Sequence, residues 1–159
     1  MTIQYRYCDS PLGKLLIARN ETGLTGLWFE GQKYYSEPES DWQQVKDDAL
    51  LNRTVELIDQ YFSDGNADFD LPLSLSGTPF QQSVWHELLN IPAGKTITYG
   101  ELAERLGKPK AVRAAAAAVG RNPLSVIVPC HRVLGAKGAL TGYAGGLERK
   151  QHLLSIETA

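Results

Sequence analysis

Two short helices joined by a tight turn constrain the fold of this chain more than any other feature. The sequence predicts one helix over residues 99–106 and a second over residues 111–119, with Gly107-Lys108-Pro109 between them. This order of elements is the helix-turn-helix arrangement. A longer helix is predicted to begin at Thr78-Pro79, because threonine is a good N-cap residue and proline suits the first helical position. With a turn or wing at residues 135–138, the C-terminal half is predicted to be a mostly helical, winged helix-turn-helix unit.

The run Ile127-Val128-Pro129-Cys130-His131 places a lone cysteine between a proline and a histidine. A β-branched segment that reaches Pro129 is predicted to be a strand that stops there, because proline has no N–H to give to a β-ladder. We expect Cys130 and His131 to leave this strand end at a bend, where they are displayed rather than packed. A sulfur beside an imidazole base has the parts of an activated nucleophile. The alternative is a buried cysteine that acts only as a small hydrophobe.

The second helix of the pair is unusual because Ala114 to Ala118 are five consecutive alanines. Alanine is the best helix former, so propensity alone could explain the run. One helix face carries Arg113, Ala117 and Arg121 at i, i+4 and i+8. A helix that hydrogen-bonds to bases in the major groove usually needs several polar side chains, whereas this face offers arginine and a smooth apolar surface. It suits close approach to a narrow groove about 6 Å wide, with Arg113 as its long probe.

Charge is divided unevenly along the 159 residues. Residues 1–75 hold 6 Lys/Arg against 13 Asp/Glu, a net charge of −7, and residues 76–159 hold 10 against 5, a net charge of +5. Residues 105–137 contain seven basic side chains and no acidic one. A solvated basic face is one interpretation of this run. The asymmetry between the halves is also what a phosphate-binding half joined to an acidic partner domain would show.

The first 75 residues predict a small α/β domain. Strands are predicted over residues 3–8, 14–18 and 23–29, followed by a helix over residues 42–62 that ends at Asp64-Gly65-Asn66. The following segment, to residue 76, is expected to be extended and linking. We therefore divide the chain into an α/β N-terminal domain, residues 1–75, and a helix-turn-helix domain, residues 76–159.

No apolar stretch approaches membrane-spanning length, and the N-terminus lacks the basic and apolar regions of a signal peptide. We expect a cytoplasmic protein with no membrane partner, whose two cysteines, Cys8 and Cys130, stay reduced. Cys8 is interpreted as structural.

Five landmarks within residues 78–157 together resemble the guanine-O6 alkyltransferases, the methylated-DNA–protein-cysteine methyltransferases. In chain order they are Ile97-Thr98-Tyr99-Gly100, Arg113 in its small-residue helix, Asn122-Pro123, Pro129-Cys130-His131-Arg132-Val133 and Gly142-Tyr143-Ala144-Gly145-Gly146. The Pro-Cys-His-Arg element is highly specific, and the other four are weak alone. Residues 1–75 resemble the family only in general pattern, as a small ribonuclease-H-like α/β domain.

The resemblance implies direct, irreversible transfer of an alkyl group from guanine O6 in duplex DNA, and also from alkylated thymine O4, to Cys130. Each molecule would react once, as a monomer and without a cofactor. A free thiol with a pKa of about 8.5 is little ionised at neutral pH, so it needs an activating partner. The resemblance makes His131 the proton acceptor, through a water, with Glu157 polarising it. Tyr99 would protonate the departing guanine. As an alternative, Glu157 is a solvated C-terminal acid.

The target base lies within a stack, so its nucleotide must be flipped out at a cost of roughly a few kcal/mol. The resemblance assigns Arg113 to the vacated place in the stack, although it could also be an ordinary phosphate-binding arginine. Ala114, Ala117 and Arg121 would complete the DNA-binding face. Many members of the family have glycine in the middle of this helix, where the chain has Ala116 and Ala117, which puts the closeness of its approach to DNA in question.

The same resemblance assigns the residues around the flipped base. Asn122 would organise the thiolate and its turn, and Tyr143 and Ala144 belong to the loop over the base. The carbonyls of Cys130 and Val133 would accept the guanine amino group, and the Ala144 N–H would meet O6. No metal site is expected, because the N-terminal zinc ligands of some relatives are missing and Cys8 alone cannot form a tetrahedral site.

Two other functions are open to such a chain. A non-catalytic helix-turn-helix protein could bind lesions or regulate promoters, but relatives that only flag damage lack the cysteine that Cys130 supplies. A cysteine hydrolase could use Cys130 and His131 for acyl transfer. However, sequence neighbours rarely form such a pair directly, and the basic helix-turn-helix would then be unexplained.

Overall fold

A four-stranded sheet organises the first half of the computed structural model, which describes residues 2–34 and 37–158. Its strands lie in the spatial order β3-β2-β1-β4. The bounds are β1 Gln4–Cys8, β2 Leu15–Arg19, β3 Leu24–Phe29 and β4 Gln43–Gln44. Strands β1, β2 and β3 pair antiparallel, and β4 pairs parallel with β1. The three predicted strands are confirmed to within one residue.

The predicted helix over residues 42–62 begins later than expected. Residues Gln43–Gln44 join the sheet instead, opposite Gln4 and Tyr5 of β1. Helix α1 spans Ala49–Asp64, and the carboxylate of Asp48 caps it by accepting a hydrogen bond from the Leu51 N–H. Asp48 was the missed start signal, because an aspartate before an apolar-periodic run is a strong N-cap.

The second half contains four α-helices among the residues that the structure describes. Helix α2 spans Pro79–Leu88, α3 Tyr99–Arg105, α4 Val112–Gly120 and α5 Leu147–Thr158. Capping boxes at Thr78 and Thr98 open α2 and α3, as threonine followed three residues later by glutamine or glutamate favours. Helices α2 and α3 both pack on α4, and the Trp85 indole of α2 donates to the Ala118 carbonyl of α4 at 2.8 Å. The helix-turn-helix prediction is confirmed.

The expected strand before Pro129 is absent. Residues 125–128 form consecutive turns, in which the Val128 N–H bonds to the Leu124 carbonyl at 2.9 Å, and a 3-10 turn over Cys130–Arg132 follows. Val126 has a φ of +72°, a left-handed conformation that is strained for a β-branched residue. The apolar run is therefore a buried turn, because the N–H groups of Ile127 and Val128 bond within it, to the carbonyls of Ser125 and Leu124.

The two halves share one hydrophobic core. Strand β3 and the segment leading to Cys130 exchange backbone hydrogen bonds, from the Leu27 N–H to Pro123 O at 2.8 Å and from the Ser125 N–H to Leu27 O at 3.0 Å. Buried side chains from both halves form a single cluster that includes Cys130. None of the helices in the described part of the chain is long and apolar enough to cross a membrane. The division at residue 75 stays a prediction.

Candidate active site

Cys130 begins the 3-10 turn and is 5 % exposed, while His131 is wholly buried. The expectation that both residues are displayed at a strand end is therefore wrong. Burial raises the pKa of the Cys130 thiol, while the Asn122 amide and the Lys150 charge act in the opposite direction. A buried thiol of this kind needs a positioned base and donors before it can ionise.

Asn122 holds the turn that carries Cys130. Its amide nitrogen donates to the carbonyls of Leu124, at 3.2 Å, and Val128, at 2.8 Å. Its amide oxygen accepts from the Leu124 N–H at 3.0 Å. One buried side chain thus bonds to both ends of the strained turn, in the position that the sequence analysis expected for an organiser of the turn.

Glu157 lies in the interior, so its interpretation as a solvated C-terminal acid is excluded. Its side chain is 0 % exposed and contacts His131 Nε2 at 2.6 Å. Arg132 donates to both carboxylate oxygens, from Nε and from Nη2, each at 2.9 Å. Arg132 therefore supplies the counter-charge that lets a buried carboxylate stay ionised.

The protonation states of this pair suit proton transfer. Burial alone would raise the pKa of Glu157, but hydrogen bonds from His131 and Arg132 outweigh it and bring that pKa down to about 2. Burial lowers the pKa of His131, against the hydrogen bond with Glu157. At neutral pH His131 is thus a neutral imidazole that donates from Nε2. Its Nδ1 is buried without a hydrogen-bond partner among the described residues and has a free lone pair.

Lys150 of α5 is a member of the site that the sequence analysis missed. It is wholly buried, and its ammonium donates to the carbonyls of Val133 at 2.7 Å, Thr141 at 2.6 Å and Gly142 at 3.3 Å. Three donors meet three acceptors, so the charge is accommodated. Burial lowers its pKa to about 8, and the lysine stays mostly protonated at neutral pH. Its hydrogen bonds join the segment at Val133 to the loop at Thr141 and Gly142, and these two segments flank the expected base pocket.

Tyr99 and Cys130 are brought together by a small parallel ladder. Strand β5, Ile97–Thr98, pairs with β6, Val133–Leu134, so that α3 begins beside the 3-10 turn. Burial raises the pKa of Tyr99, and so does the nearby Cys130. Tyr99 therefore keeps its proton at neutral pH, as a proton donor must.

A cavity of about 930 Å³ opens beneath the alanine helix. It is lined by residues from both halves, among them Lys33, Tyr34, Tyr99, Ala114, Ala117, Arg121, Tyr143 and Ala144. Six of these eight were named from the sequence. Lys33 and Tyr34 were not, because nothing in an acidic N-terminal half indicates that one of its loops reaches the site.

Some of the backbone groups expected to bind the flipped base already form hydrogen bonds within the protein. The Val133 carbonyl accepts from Lys150, and the Cys130 carbonyl accepts from the Val133 N–H. Each carbonyl oxygen keeps a second lone pair. The Ala144 carbonyl accepts from the Lys33 N–H at 2.9 Å. The hydroxyl of Tyr143 is buried without a partner among the described residues.

The expected DNA-binding residues lie on the exposed side of α4 and at its end. Arg113, Ala114 and Ala117 are exposed on the helix, and Ala115, Ala118 and Val119 pack inward. Arg113 is not among the residues that line the cavity. The Arg121 guanidinium stacks on Tyr34, 3.8 Å from the ring centroid, so an N-terminal aromatic ring covers part of this face.

No group of three or more potential metal ligands occurs in residues 2–34 and 37–158.

Comparison with known proteins covers the whole chain. Residues 3–75 match the family model of the 6-O-methylguanine DNA methyltransferase ribonuclease-like domain, and residues 79–159 match the model of its DNA-binding domain. The methylated-DNA–protein-cysteine methyltransferase of Mycobacterium tuberculosis is 46 % identical over 155 residues, 98 % of this chain and 92 % of that protein. The one of Methanosarcina barkeri is 44 % identical over 153 residues, 96 % of each.

Structural comparison agrees. The crystal structure of Mycobacterium tuberculosis OGT in complex with DNA superposes with a TM-score of 0.87 at 42 % identity, covering 99 % of this chain and 93 % of the other. A structure of the O6-methylguanine methyltransferase of the same organism also gives 0.87, at 44 % identity, over 98 % and 93 %. The chain belongs to the methylated-DNA–protein-cysteine methyltransferase family.

Proposed function

We propose that this protein repairs DNA by transferring the alkyl group of O6-alkylguanine to its own Cys130, once per molecule. The assignment to Cys130 rests on one observation, the hydrogen-bonded pair of His131 and Glu157 that adjoins it. Glu157 contacts His131 Nε2 at 2.6 Å, and His131 directly follows Cys130 in the 3-10 turn. The transfer makes the protein a single-turnover methyltransferase without a cofactor.

The transfer begins with the thiol proton, which passes through a water to Nδ1 of His131. The thiolate sulfur attacks the alkyl carbon of the lesion. A carbon–sulfur bond forms, and the bond from that carbon to guanine O6 breaks, leaving its electron pair on the base. Tyr99 donates a proton to the departing guanine, and the proton that His131 took from the thiol then passes to the Tyr99 phenolate, so that both side chains end neutral. Glu157 stabilises the imidazolium through Nε2–H.

Duplex DNA binds along the exposed face of α4. Arg113 fills the place in the stack that the flipped nucleotide leaves, and Ala114 and Ala117 allow the helix to approach the groove closely. Arg121 contacts the same strand after it releases Tyr34. Between Arg113 and Arg121 the exposed side chains of α4 are alanines, which supports close approach of this part of the helix.

The flipped guanine enters the cavity between Tyr99 and the loop that carries Tyr143 and Ala144. The second lone pairs of the Cys130 and Val133 carbonyls accept the guanine amino group, and the Ala144 N–H meets O6. Asn122 keeps Cys130 aimed at the alkyl carbon by holding its turn. The same pocket accepts the smaller O4-alkylthymine. The protein acts as a monomer in the cytoplasm, where a reducing environment keeps Cys130 free.

Mass spectrometry of the intact full-length protein tests this proposal. Incubation with an O6-methylguanine duplex is expected to add one methyl mass, on the peptide that contains Cys130. A methyl on Cys8, or turnover beyond one equivalent, would overturn the assignment. Binding of the lesion without any added mass would favour a lesion-binding or regulatory protein instead.

A further inference from the structure

The carboxylate of Glu157 has a partner from the other half of the chain. Tyr61, near the end of α1, is 1 % exposed and donates its hydroxyl hydrogen to Glu157 Oε2. The same hydroxyl oxygen is 3.5 Å from His131 Nε2, which is too long for a good hydrogen bond. Tyr61 therefore acts on the carboxylate and does not compete for the imidazole.

The hydroxyl of Tyr61 can only donate here. Burial raises its pKa, and the nearby Glu157 raises it further, so the phenol stays protonated while the carboxylate is ionised. Glu157 Oε2 then accepts from three donors, which are Tyr61, His131 Nε2 and Arg132 Nη2. Its Oε1 accepts from Arg132 Nε and from the Gly94 N–H, at 2.9 and 3.4 Å. These hydrogen bonds to both oxygens hold the Glu157 carboxylate in one orientation.

Close packing between α1 and α5 fixes the position of Tyr61. Gly65, the residue that follows α1 and caps its C-terminus, has a φ of +73°, and its N–H bonds to the Tyr61 carbonyl at 2.7 Å. A Cβ at Gly65 would lie 2.1 Å from the Ile156 carbonyl oxygen, so the two helix ends touch backbone to backbone. The Tyr61 ring also packs against Phe62 and Phe69, with centroids 5.4 and 6.0 Å away.

We propose that Tyr61 is a positioning residue for alkyl transfer, acting through Glu157. Its hydroxyl holds the carboxylate against His131 Nε2, which keeps Nδ1 as the proton acceptor for Cys130. This inference rests on the proposed function and extends it to the N-terminal half, which contributes no reacting atom. Glu157 and Arg132 are the charged groups that act on Tyr61, and Tyr143 interacts with it electrostatically; Arg132 and Lys150 are the cations that act on His131.

Tyr61→Phe in the full-length protein tests this role, because it removes only the hydroxyl and keeps the ring packing. The single-turnover rate of methyl transfer is expected to fall about tenfold at neutral pH, since a charged hydrogen bond is lost. The acid-side midpoint of the rate–pH profile, which reports protonation of His131, should move to lower pH, because a less firmly held Glu157 stabilises the His131 imidazolium less and so lowers the pKa of His131. The affinity for the lesion duplex should be unchanged.

Tyr5→Phe is the matched control, since it removes a hydroxyl from the same domain in an aromatic cluster with Tyr7 and Trp42. It should leave the rate and the pH profile unchanged. In a Glu157→Gln background, Tyr61→Phe should cause no further loss of rate. Thermal unfolding and the reaction of Cys130 with iodoacetamide separate a folding defect from a weaker base.

The two proposals fail separately. If wild-type protein gains no methyl on Cys130, the proposed function fails whatever Tyr61→Phe does. If wild type is methylated and Tyr61→Phe keeps the wild-type rate and midpoint, the role of Tyr61 is overturned. An equal loss at every pH together with easier unfolding, or an acid-side midpoint that moves to higher pH, overturns it as well.

Discussion

Each half of the chain carries one cysteine, and the two differ in their neighbours more than in their burial. Cys8 is half-buried at the end of β1, where burial raises its pKa to about 11; Arg6 opposes this rise, and the carboxylates of Asp59 and Asp9 add to it. Burial also raises the pKa of Cys130, but there the opposing groups are the amide of Asn122 and the charge of Lys150. Burial alone therefore makes a cysteine inert, and donors and a base distinguish a nucleophile from a structural thiol.

Replacing each cysteine by serine gives the largest expected contrast between the halves. Cys130→Ser should abolish methyl transfer completely, because a hydroxyl is a far weaker nucleophile than a thiolate and its proton is much harder to remove. Cys8→Ser should keep the wild-type rate and the stoichiometry of one methyl. Transfer of radiolabelled methyl from duplex DNA to protein measures both variants.

The contrast would break if Cys8→Ser lost activity while its thermal unfolding stayed that of wild type, since Cys8 would then take part in the chemistry. Retained DNA binding in Cys130→Ser is the control that shows its fold is intact.

Local signals predicted the parts of the fold that depend on few residues. Thr78-Pro79 marked a helix start, and the turn at Gly107 separated the paired helices, because capping and turn chemistry act over three or four positions. The strands β1, β2 and β3 were predicted as three short strand-like stretches separated by turns. Tyr99 and Tyr143 lie near Cys130 as the family resemblance suggested.

Other parts depended on contacts far apart in the sequence. Tyr61 is 96 residues from Glu157, and nothing in the neighbouring sequence indicates that its hydroxyl reaches this carboxylate. Lysine is rarely fully buried, so nothing local predicted that Lys150 would bond to carbonyls inside the site. The apolar run before Pro129 has the composition of a strand, yet Asn122 and the edge of β3 hold it as a turn.

Replacing one arginine in each half compares the halves again. The effect of Arg113→Ala is expected to lie between those of the cysteine and the lysine replacements. Methyl transfer from duplex DNA should slow about 10- to 100-fold, since the side chain is expected to offset part of the few kcal/mol that base flipping costs. Transfer from free O6-benzylguanine should change by less than about twofold, because no base is flipped. Single-turnover kinetics on both substrates provide the measurement.

Arg53→Ala is the matched control, because this exposed arginine of α1 pairs with Glu56 at 3.2 Å in the acidic half. It should affect neither substrate. An equal loss on both substrates for Arg113→Ala would show that Arg113 supports the fold or the thiolate instead.

Single lysine replacements give the smallest expected effect and compare the charges of the two halves directly. If roughly four of the seven basic residues within 105–137 reach phosphates, log affinity for duplex DNA should fall with log salt at a slope of about −3 to −4. Lys110→Ala should lower this slope by about 1 and weaken binding to all sequences alike, as loss of one phosphate contact does. Lys46→Ala, in the acidic half, should change neither quantity. Fluorescence anisotropy across a salt series measures both.

The charge difference between the halves also predicts which surface of the protein contacts DNA. Residues 1–75 have a net charge of −7, so DNA should touch this half only near Lys33 and Tyr34, where its loop reaches the cavity. Protection of amide hydrogens over α2–α4 and this loop, with the sheet unprotected, is the expected footprint. Little selectivity among undamaged sequences should accompany it, because Arg113 and Arg121 are the hydrogen-bonding side chains that the DNA-binding face of α4 offers to base edges, and the exposed residues between them are alanines. Strong sequence selectivity, or affinity that is independent of salt, would instead indicate a regulator that reads bases, and the charge difference between the halves would then have no part in binding.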